Sequence, residues 1–435
     1  MNVVSVGRRG PDIRSDLWVE LELRQSGGIV LDIKSKVDFM YGEANRKLVL
    51  DTLKALGIHH ARAAIEDTGG LPFVITARLE TAVRRAKPGS KGPACLPEPG
   101  PSFASPSARD RWRRSRLYLP GNEPKFMLNA RIHRPDAVIL DIEDSVPPAD
   151  KDAALLLVRN ALVSVDFGDC ERMVRINQLP RGLDEIEPLV RAGVNLILIP
   201  KCESADQVRQ VDARITSALS SPLPVPSSLD VYLMPIVETC EGMFNAAAIA
   251  KASPRIVALT YGMEDYIADL GGVKTTAGME SLWARSQVVN AAKAAGVQAI
   301  DTVFADVSDM PGLEASCAAA KTLGFEGKGC IHPRQIPVVN NAFTPSEPEI
   351  KRAQDVVLAF RDAQAKGRSV VALGSKMIDP PVVQRALRTI ELAIAAGRLA
   401  TDWDAPSVAL SAAKGLCAGK EDSSASPQND KRTEA

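Results

Sequence analysis

VILDIEDSV, at residues 138–146, begins as an apolar run and ends in a group of acidic side chains. Asp141, Glu143 and Asp144 stand at the carboxyl end of that run. Three carboxylates at the end of a buried strand cost free energy, because they repel one another and lose hydration. A bound cation or a chemical reaction would offset this cost. The stretch therefore predicts a buried strand that ends at a functional site.

Similar apolar runs recur along the chain, separated by amphipathic segments such as ADQVRQVDARITSAL (205–219). The eight runs are RLYLP (116–120), DAVILDIED (136–144), RMVRIN (172–177), NLILIP (195–200), DVYLMPIVE (230–238), IVALTYG (256–262), AIDTVF (299–304) and GKGCI (327–331). Continuous apolar runs with helical connections are typical of parallel strands buried on both faces. They predict a closed (β/α)8 TIM barrel, with a doubly wound open sheet as the alternative. No glycine fingerprint for a dinucleotide follows any run, which favours the barrel.

Composition and charge exclude several classes of protein. The 53 basic and 53 acidic residues cancel, so no global field attracts nucleic acid or an anionic membrane surface. Seven cysteines, an odd number without metal-type spacing, argue for a reducing compartment. No apolar stretch approaches the roughly 20 residues of a spanning helix, and we expect a soluble cytoplasmic protein. The four histidines are not spaced as a metal pair, so a metal site would use oxygen ligands.

Changes in composition separate a small module, a linker, a large module and a tail. Pro, Gly and Ser dominate residues 89–111, which predicts a flexible linker between a small module at 1–88 and a barrel at 112–335. The last residues, AGKEDSSASPQNDKRTEA (418–435), are polar and lack aromatics, and a disordered tail is predicted at 401–435.

Polar residues at the ends of the predicted barrel strands should converge, because the loops at the carboxyl ends of the strands share one cleft. These residues are Asp141, Glu143, Arg175, Lys201, Glu238, Asp265 and Asp301. For each residue the alternative is a structural ion pair or a helix cap.

Two of these carboxylates point to a metal. Glu238 and Asp265 end adjacent strands, and an oxygen-only site with room for water suits Mg2+. Around them we expect a layer that holds metal-bound waters, formed by Asp141, Glu143, Asp144 and Lys201. Arg175 and Arg114 are two-pronged donors for a substrate carboxylate, although Arg114 also fits a simple basic cluster in RWRRSR (111–116).

Nine blocks of the chain, in order, resemble the citrate lyase β-subunit family of metal-dependent aldolases. The blocks are RRSRLYLPGNEPKFM (113–127), DAVILDIEDSVPPADK (136–151), VRIN (174–177), LIPKCES (198–204), PIVETCEGMFNAAAIA (235–250), ALTYGMEDYIADLGG (258–272), GKGCIHPRQI (327–336), FTPSEPEI (343–350) and SKMIDPPVV (375–383). The resemblance implies a barrel, usually trimeric, with Mg2+ on Glu238 and Asp265 and a substrate carboxylate on Arg175. It also implies a helical extension at 336–400 that carries Asp379, an acid/base group acting in a neighbouring subunit's site. From the residues alone, Asp379 before Pro380 favours a helix N-cap.

The family's chemistry is the reverse Claisen cleavage of a 3-hydroxyacyl thioester. A citryl thioester would give oxaloacetate and an acetyl thioester. A malyl-CoA or citramalyl-CoA lyase that uses free acyl-CoA is the alternative, since it would have the same metal and carboxylate sites. A noncatalytic scaffold is the hypothesis from another class.

Residues 10–86 resemble the citrate lyase γ-subunit, an acyl carrier protein, in blocks that include DTGGLP (67–72). In the family a phosphoribosyl-dephospho-CoA arm is attached to the first serine of an SSD segment. Here the segment is IRSD (13–16), so Arg14 occupies the modified position. A guanidinium cannot form the phosphodiester. The arm is then expected on Ser15, or the module serves docking while free acyl-CoA is the substrate, and a citrate lyase α-subunit-like transferase is a possible partner.

Overall fold

The computed structural model describes residues 3–89, 94–221, 230–367, 370–373 and 376–404. These residues form two compact units, one ending at Phe343 and the other beginning at Thr344. Of the predicted disordered tail, residues 405–435 lie outside the described ranges. No helix within those ranges has the length and apolar character needed to cross a membrane.

A small α+β module opens the first unit, as predicted. Its elements are β1 (Val3–Gly7), β2 (Leu17–Leu23), β3 (Ile29–Ser35), α1 (Asp38–Ala55), β4 (Ala61–Asp67) and α2 (Pro72–Ala86). The sheet order is β1-β2-β4-β3, with β3 and β4 parallel and the other pairs antiparallel. Alternate residues of β2, namely Leu17, Val19 and Leu21, are buried in the core. This period of two is what a strand with one covered face requires.

The eight predicted strands close into a parallel barrel. They are β5 (Ser115–Pro120), β6 (Ala137–Asp141), β7 (Glu171–Arg175), β8 (Leu196–Ile199), β9 (Tyr232–Val237), β10 (Ala258–Tyr261), β11 (Gln298–Asp301) and β12 (Gly327–Cys330). Consecutive strands pair, and β12 pairs with β5 to complete the circle. The prediction of a (β/α)8 barrel is confirmed, and the open-sheet alternative is wrong.

Helices surround the barrel in the expected alternation. They are α3 (Pro124–Leu128), α4 (Lys151–Ser164), α5 (Arg181–Arg191), α6 (Ala205–Leu219), α7 (Cys240–Ala250), α8 (Met263–Leu270), α9 (Met279–Ala294), α10 (Met310–Leu323) and α11 (Gln335–Phe343). A separate apolar layer fills the barrel itself, formed by residues such as Ile139, Met173, Leu198, Met234 and Ile300. The strands are therefore buried on both faces, which explains their continuous apolar sequences.

Residues 94–111 differ from the predicted flexible linker. The Gly100 amide donates to the Val163 carbonyl at 2.8 Å. The Arg172 guanidinium donates to the carbonyls of Ser102 and Ser105 at 2.6 and 2.7 Å. The Pro, Gly and Ser composition correctly indicates irregular backbone, but the carbonyls of this segment satisfy buried donors of the barrel and hold it in place.

Helix α2 joins the module to the barrel through a buried ion pair. It packs on α4, where Arg159 donates to both carboxylate oxygens of Glu80 at 3.1 and 2.7 Å. Arg84 also donates to Glu80, at 2.6 Å. Burial would raise the pKa of Glu80, but Arg159 and Arg84 together hold it below the ordinary value.

Glu80→Ala is expected to lower the free energy of unfolding by about 3–5 kcal/mol, because it leaves the Arg159 charge buried without a carboxylate. Urea denaturation followed by circular dichroism measures this change. Asp51→Ala is the matched control, since Asp51 forms an exposed pair with Lys47 on α1 and its loss should leave the free energy of unfolding nearly unchanged. Equal effects of the two substitutions would contradict the assignment.

The second unit contains α12 (Glu347–Ala365), β13 (Val371–Leu373), β14 (Lys376–Ile378) and α13 (Pro380–Ala395). The two short strands pair in antiparallel register. Val356, Phe360, Val383 and Ile390 form the apolar contact between α12 and α13. Both helices fall within the predicted helical extension.

Candidate active site

A cavity of about 300 Å³ lies at the carboxyl ends of the barrel strands. Its wall includes Tyr118, Asp141, Arg175, Glu238 and Asp265. Four of these five residues belong to the set that the sequence places at strand ends. The predicted convergence at one cleft therefore agrees with the structure.

Glu238 lies between the end of β9 at Val237 and the cap of α7, where the Thr239 hydroxyl accepts a hydrogen bond from the Gly242 amide at 3.1 Å. Glu238 is 3% exposed, and its Oε1 accepts a hydrogen bond from the Lys201 amide at 2.7 Å. A Cβ at Gly262 would lie 2.2 Å from Glu238 Oε2. Only glycine at this position leaves room for the carboxylate.

Asp265 reaches the same cavity from the first turn of α8. Burial of Glu238, together with the nearby Asp265 charge, raises the pKa of Glu238 to about 7. Hydrogen bonding from the Lys201 amide and the charges of Arg175 and Lys201 act in the opposite direction and do not cancel the shift. The raised pKa reflects mainly the lost hydration of the buried carboxylate, and the charge of Asp265 adds to this effect.

Lys201 stands among the acidic residues. Its amine lies 3.2 Å from Glu143 Oε1, 3.3 Å from Asp144 Oδ2 and 3.3 Å from Asp265 Oδ1. Burial lowers the pKa of Lys201, but these three carboxylates outweigh it and raise the pKa above the ordinary value. Lys201 has a φ of 43°, a left-handed conformation that costs free energy for a residue with a side chain. The three carboxylate contacts thus hold the positive charge of the lysine at the edge of the site.

Arg175 is oriented by the acidic residues of the VILDIEDSV stretch. Its Nε and Nη2 donate to the two oxygens of Asp141 at 2.7 Å each, and its Nη1 lies 3.1 Å from Glu143 Oε2. Burial would lower the pKa of Arg175, but Asp141, Tyr118 and Glu143 raise it above the ordinary value. These contacts leave N–H donors for a substrate. Asp141 and Glu143 thus hold the arginine in place. These ion pairs offset much of the free-energy cost of burying the two carboxylates.

Two of the predicted residues form structural ion pairs, Arg114 away from the cavity and Asp301 in its wall. Arg114 precedes β5 and pairs with Asp136, which precedes β6, at 2.8 Å. It therefore lies at the amino ends of the strands, and the prediction that Arg114 binds substrate is wrong. Asp301 forms buried ion pairs with Lys328 at 2.6 Å and Arg285 at 3.0 Å, so its carboxylate is a structural group.

Sequence reasoning missed polar residues deeper in the cavity. Arg116 and Thr260 both line it, and Arg116 Nη1 donates to Thr260 Oγ1 at 2.9 Å. A charged residue inside RLYLP, a strand buried on both faces, is the signal that marks this position. Tyr118, from the same strand, lies below the Arg175 guanidinium, with 5.4 Å between Arg175 Cζ and the ring centre.

Asp379 belongs to the second unit, and Ser15 belongs to the small module of the first unit. Asp379 caps α13, where its carboxylate accepts a hydrogen bond from the Val382 amide at 3.2 Å. Ser15 has a φ of 56°, and its amide donates to the Thr68 carbonyl. The next residue, Asp16, binds Arg78, which also donates to the carbonyl of Asn122 just after β5. Ser15 is therefore the neighbour of Asp16, whose partner Arg78 contacts the barrel at the carboxyl end of β5.

The cavity suits a hard divalent cation. Within the described ranges, no group of three or more Asp, Glu, His or Cys side chains converges on one point. Glu238 and Asp265 supply two carboxylates, and Mg2+ commonly takes one or two carboxylates while water and substrate oxygens complete its octahedron. A cation at this position would also stabilise the ionised form of the buried Glu238 carboxylate, whose pKa burial raises.

A closed parallel barrel with an acidic site and a fixed arginine at the carboxyl ends of its strands defines an enzyme of the TIM-barrel class. The chain belongs to the HpcH/HpaI aldolase/citrate lyase family, whose model matches residues 114–333. It is accordingly a carbon–carbon lyase. Residues 10–86 match a second family, described as the malonate decarboxylase delta subunit, which confirms the prediction of a carrier-like module.

Curated relatives and a solved structure agree with this assignment. Citrate lyase subunit beta of Leuconostoc mesenteroides subsp. cremoris is 39% identical over 287 residues, which cover 65% of this chain and 94% of the relative. Human mitochondrial citramalyl-CoA lyase is 33% identical over 65% of this chain and 85% of its own length. The crystal structure of CitE from Mycobacterium tuberculosis, in complex with magnesium, acetoacetate and coenzyme A, has a TM-score of 0.54 and 32% identity and covers 66% of this chain and 99% of that one.

Proposed function

We propose that this protein cleaves a citryl thioester to oxaloacetate and an acetyl thioester in a Mg2+-dependent reverse Claisen reaction. The observation that carries the proposal is the single cavity that contains Glu238, Asp265 and a fixed Arg175. The similarity to citrate lyase β-subunits supports the citryl substrate.

Each group has a role that follows from its position. Arg175, held by Asp141, binds the substrate carboxylate beside the bond that breaks. Mg2+ held by Glu238 and Asp265 would supply positive charge to the oxygen atoms of the substrate hydroxyl and carboxylate groups. Lys201 adds a second positive charge at the edge of the site, next to Asp265. The substrate hydroxyl gives up its proton to a base and becomes the carbonyl of the oxo acid as the C–C bond breaks. The electron pair of that bond forms the thioester enolate, whose carbon then takes up a proton.

We assign that proton transfer to Asp379 of another subunit in a homotrimer. The resemblance of SKMIDPPVV to the family motif supports this role. The N-cap contact with Val382 is compatible with it, because a carboxylate can accept more than one hydrogen bond.

The test is a cleavage assay with citryl-CoA, citramalyl-CoA and malyl-CoA, each with Mg2+ and with excess EDTA. Release of oxaloacetate from citryl-CoA with the highest kcat/KM, and loss of activity with EDTA that added Mg2+ restores, is the expected result. Faster release of pyruvate or glyoxylate from the other thioesters would overturn the citryl assignment. No cleavage of any thioester would overturn the lyase proposal.

The acyl donor is the second element of the proposal. We propose that an acyl group reaches the cavity either on an arm attached to Ser15 or as free acyl-CoA. The contact between Arg78 and Asn122, next to Asp16, supports delivery from the module of the same chain. Intact-mass spectrometry of the protein from its native host distinguishes the two cases: an added phosphoribosyl-dephospho-CoA mass lost in Ser15→Ala supports the arm, and the unmodified mass supports free acyl-CoA. Co-purification of an α-subunit-like transferase would accompany the first case.

Mg2+ affinity is expected to depend on pH through Glu238, because the ion binds the ionised carboxylate and competes with its proton. With a pKa of about 7, the apparent Kd should rise about tenfold for each pH unit below 7 and level off above it. In the metal-free protein the same shift lowers stability as pH rises from the ordinary value of 4.5 towards 7, since the folded state retains a proton that the unfolded state loses. Calorimetric titration between pH 5.5 and 8.5, at about one unit per step, measures the affinity. A Kd that is constant over this range would contradict the assignment.

A further inference from the structure

The guanidinium of Arg116 is buried inside the barrel without a carboxylate in direct contact. The residue is 0% exposed, and its Nη1 donates to Thr260 Oγ1 and Met234 Sδ, each at 2.9 Å. Nη2 lies 3.5 Å from the Asp301 carbonyl, and Nε has no hydrogen-bond partner in the described part of the chain. No carboxylate of the described residues lies within 4.0 Å of this guanidinium. Every polar contact of Arg116 is therefore with a neutral atom.

This arrangement is costly for the protein alone. A buried charge is normally paired, and a structural arginine is usually held by a carboxylate. The barrel itself shows the ordinary case in Arg113, which forms a buried pair with Glu171 at 2.7 Å. Burial lowers the pKa of Arg116, but an arginine side chain keeps its proton in proteins. A bound anion near Arg116 would compensate the charge.

Thr260 connects Arg116 with the cavity. Its oxygen accepts the hydrogen bond from Arg116, so the hydrogen of the hydroxyl must point in another direction. None of the described residues accepts a hydrogen bond from this hydroxyl. Thr260 is 3% exposed and lines the cavity together with Glu238 and Arg175. The hydroxyl is thus a buried donor in the cavity wall, polarised by the arginine that donates to it, and an oxygen atom of a ligand in the cavity can accept its hydrogen bond.

We propose that Thr260 and Arg116 form a subsite for a second substrate carboxylate. The Thr260 hydroxyl donates to a carboxylate oxygen, and Arg116 is a positioning residue that orients this hydroxyl and supplies the compensating charge. This inference rests on the proposed lyase function and specifies its substrate class. Arg175 binds the carboxylate beside the reacting carbon, and the subsite binds the other one.

The subsite selects between the thioesters that the family uses. A citryl group carries two free carboxylates, whereas citramalyl and malyl groups carry one each. The same difference separates oxaloacetate from pyruvate among the products. A buried polar donor that a ligand leaves unpaired discriminates strongly against that ligand. The subsite is therefore expected to favour dicarboxylic over monocarboxylic oxo acids.

Arg116→Met and Thr260→Val test the proposal, since both retain the approximate side-chain size. The ratio of kcat/KM for citryl-CoA to that for citramalyl-CoA is expected to fall about 100-fold in R116M and about 10-fold in T260V. The inhibition constant of oxaloacetate should rise by similar factors, with a smaller rise for pyruvate. Arg116→Lys, which keeps a positive charge, should retain part of the preference.

Arg172→Met is the matched control, because Arg172 is a buried barrel arginine that binds the carbonyls of Ser102 and Ser105 at the other end of the strands. In R172M the ratio of kcat/KM for citryl-CoA to that for citramalyl-CoA should stay within about twofold of the parent value, even if the protein is less stable. Unchanged ratios in both R116M and T260V, with cleavage retained, would overturn the subsite and leave the lyase function intact. If R116M does not fold, T260V decides alone. Failure of the parent protein to cleave any thioester would refute the proposed function instead.

Discussion

Replacing Asp265 by Ala is expected to lower kcat/KM for thioester cleavage by about 10³-fold, or about 4 kcal/mol of transition-state stabilisation. Asp265 supplies one of the two carboxylates proposed to hold Mg2+, and it lies in the first turn of α8 with its side chain partly exposed, so its loss leaves the barrel core intact. Calorimetric titration should show weakened Mg2+ binding in parallel with the loss of activity. Circular dichroism should show an unchanged fold.

Asp269→Asn is the matched control for this substitution. Asp269 lies one turn later on α8 and accepts a hydrogen bond from the Cys240 amide at 2.7 Å, a contact that the asparagine oxygen can retain. The control should keep activity and Mg2+ affinity within about twofold. A D265A protein that cleaves its substrate at the parent rate would remove Asp265 from the metal site.

Replacing Arg175 by Lys is expected to lower kcat/KM by about 100-fold. A lysine keeps the positive charge but cannot donate in parallel to both oxygens of Asp141 and still present donors to a substrate carboxylate. The inhibition constant of oxaloacetate should also be higher for R175K than for the parent protein. Steady-state kinetics with oxaloacetate as a product inhibitor measures both quantities.

Arg209→Lys, a substitution of the same type on the exposed face of α6, is the control for Arg175→Lys. It should change neither quantity by more than about twofold. If R175K binds oxaloacetate as tightly as the parent protein, then Arg175 serves only to neutralise Asp141 and Glu143, and the carboxylate is bound elsewhere.

The barrel strands could be predicted from sequence because strands that are buried on both faces have continuous apolar sequences. Runs such as NLILIP and IVALTYG have no polar alternation, and each contains a strand of the closed barrel. The location of Glu238 and Asp265 could be predicted because both residues follow barrel strands, and the carboxyl ends of all barrel strands face the same cavity. The positions of these residues follow from topology and need no knowledge of side-chain contacts.

Other features depend on contacts between distant segments, which a single sequence does not encode locally. Arg114 resembles a ligand-binding arginine until its partner Asp136 is known. Residues 94–111 have a linker composition, yet their carbonyls bind Arg172 and Asn195. The acidic cluster at 141–144 proved to hold Arg175 and Lys201 directly, whereas its sequence equally fits a layer of carboxylates around metal-bound water.

The most direct test of the account is a crystal structure of the protein with Mg2+ and oxaloacetate. We expect the ion between the carboxylates of Glu238 and Asp265, at the roughly 2.0–2.1 Å typical of Mg2+–oxygen contacts, with a carboxylate of oxaloacetate on Arg175. An ion bound elsewhere, or oxaloacetate bound without contact to Arg175, would contradict the central claim.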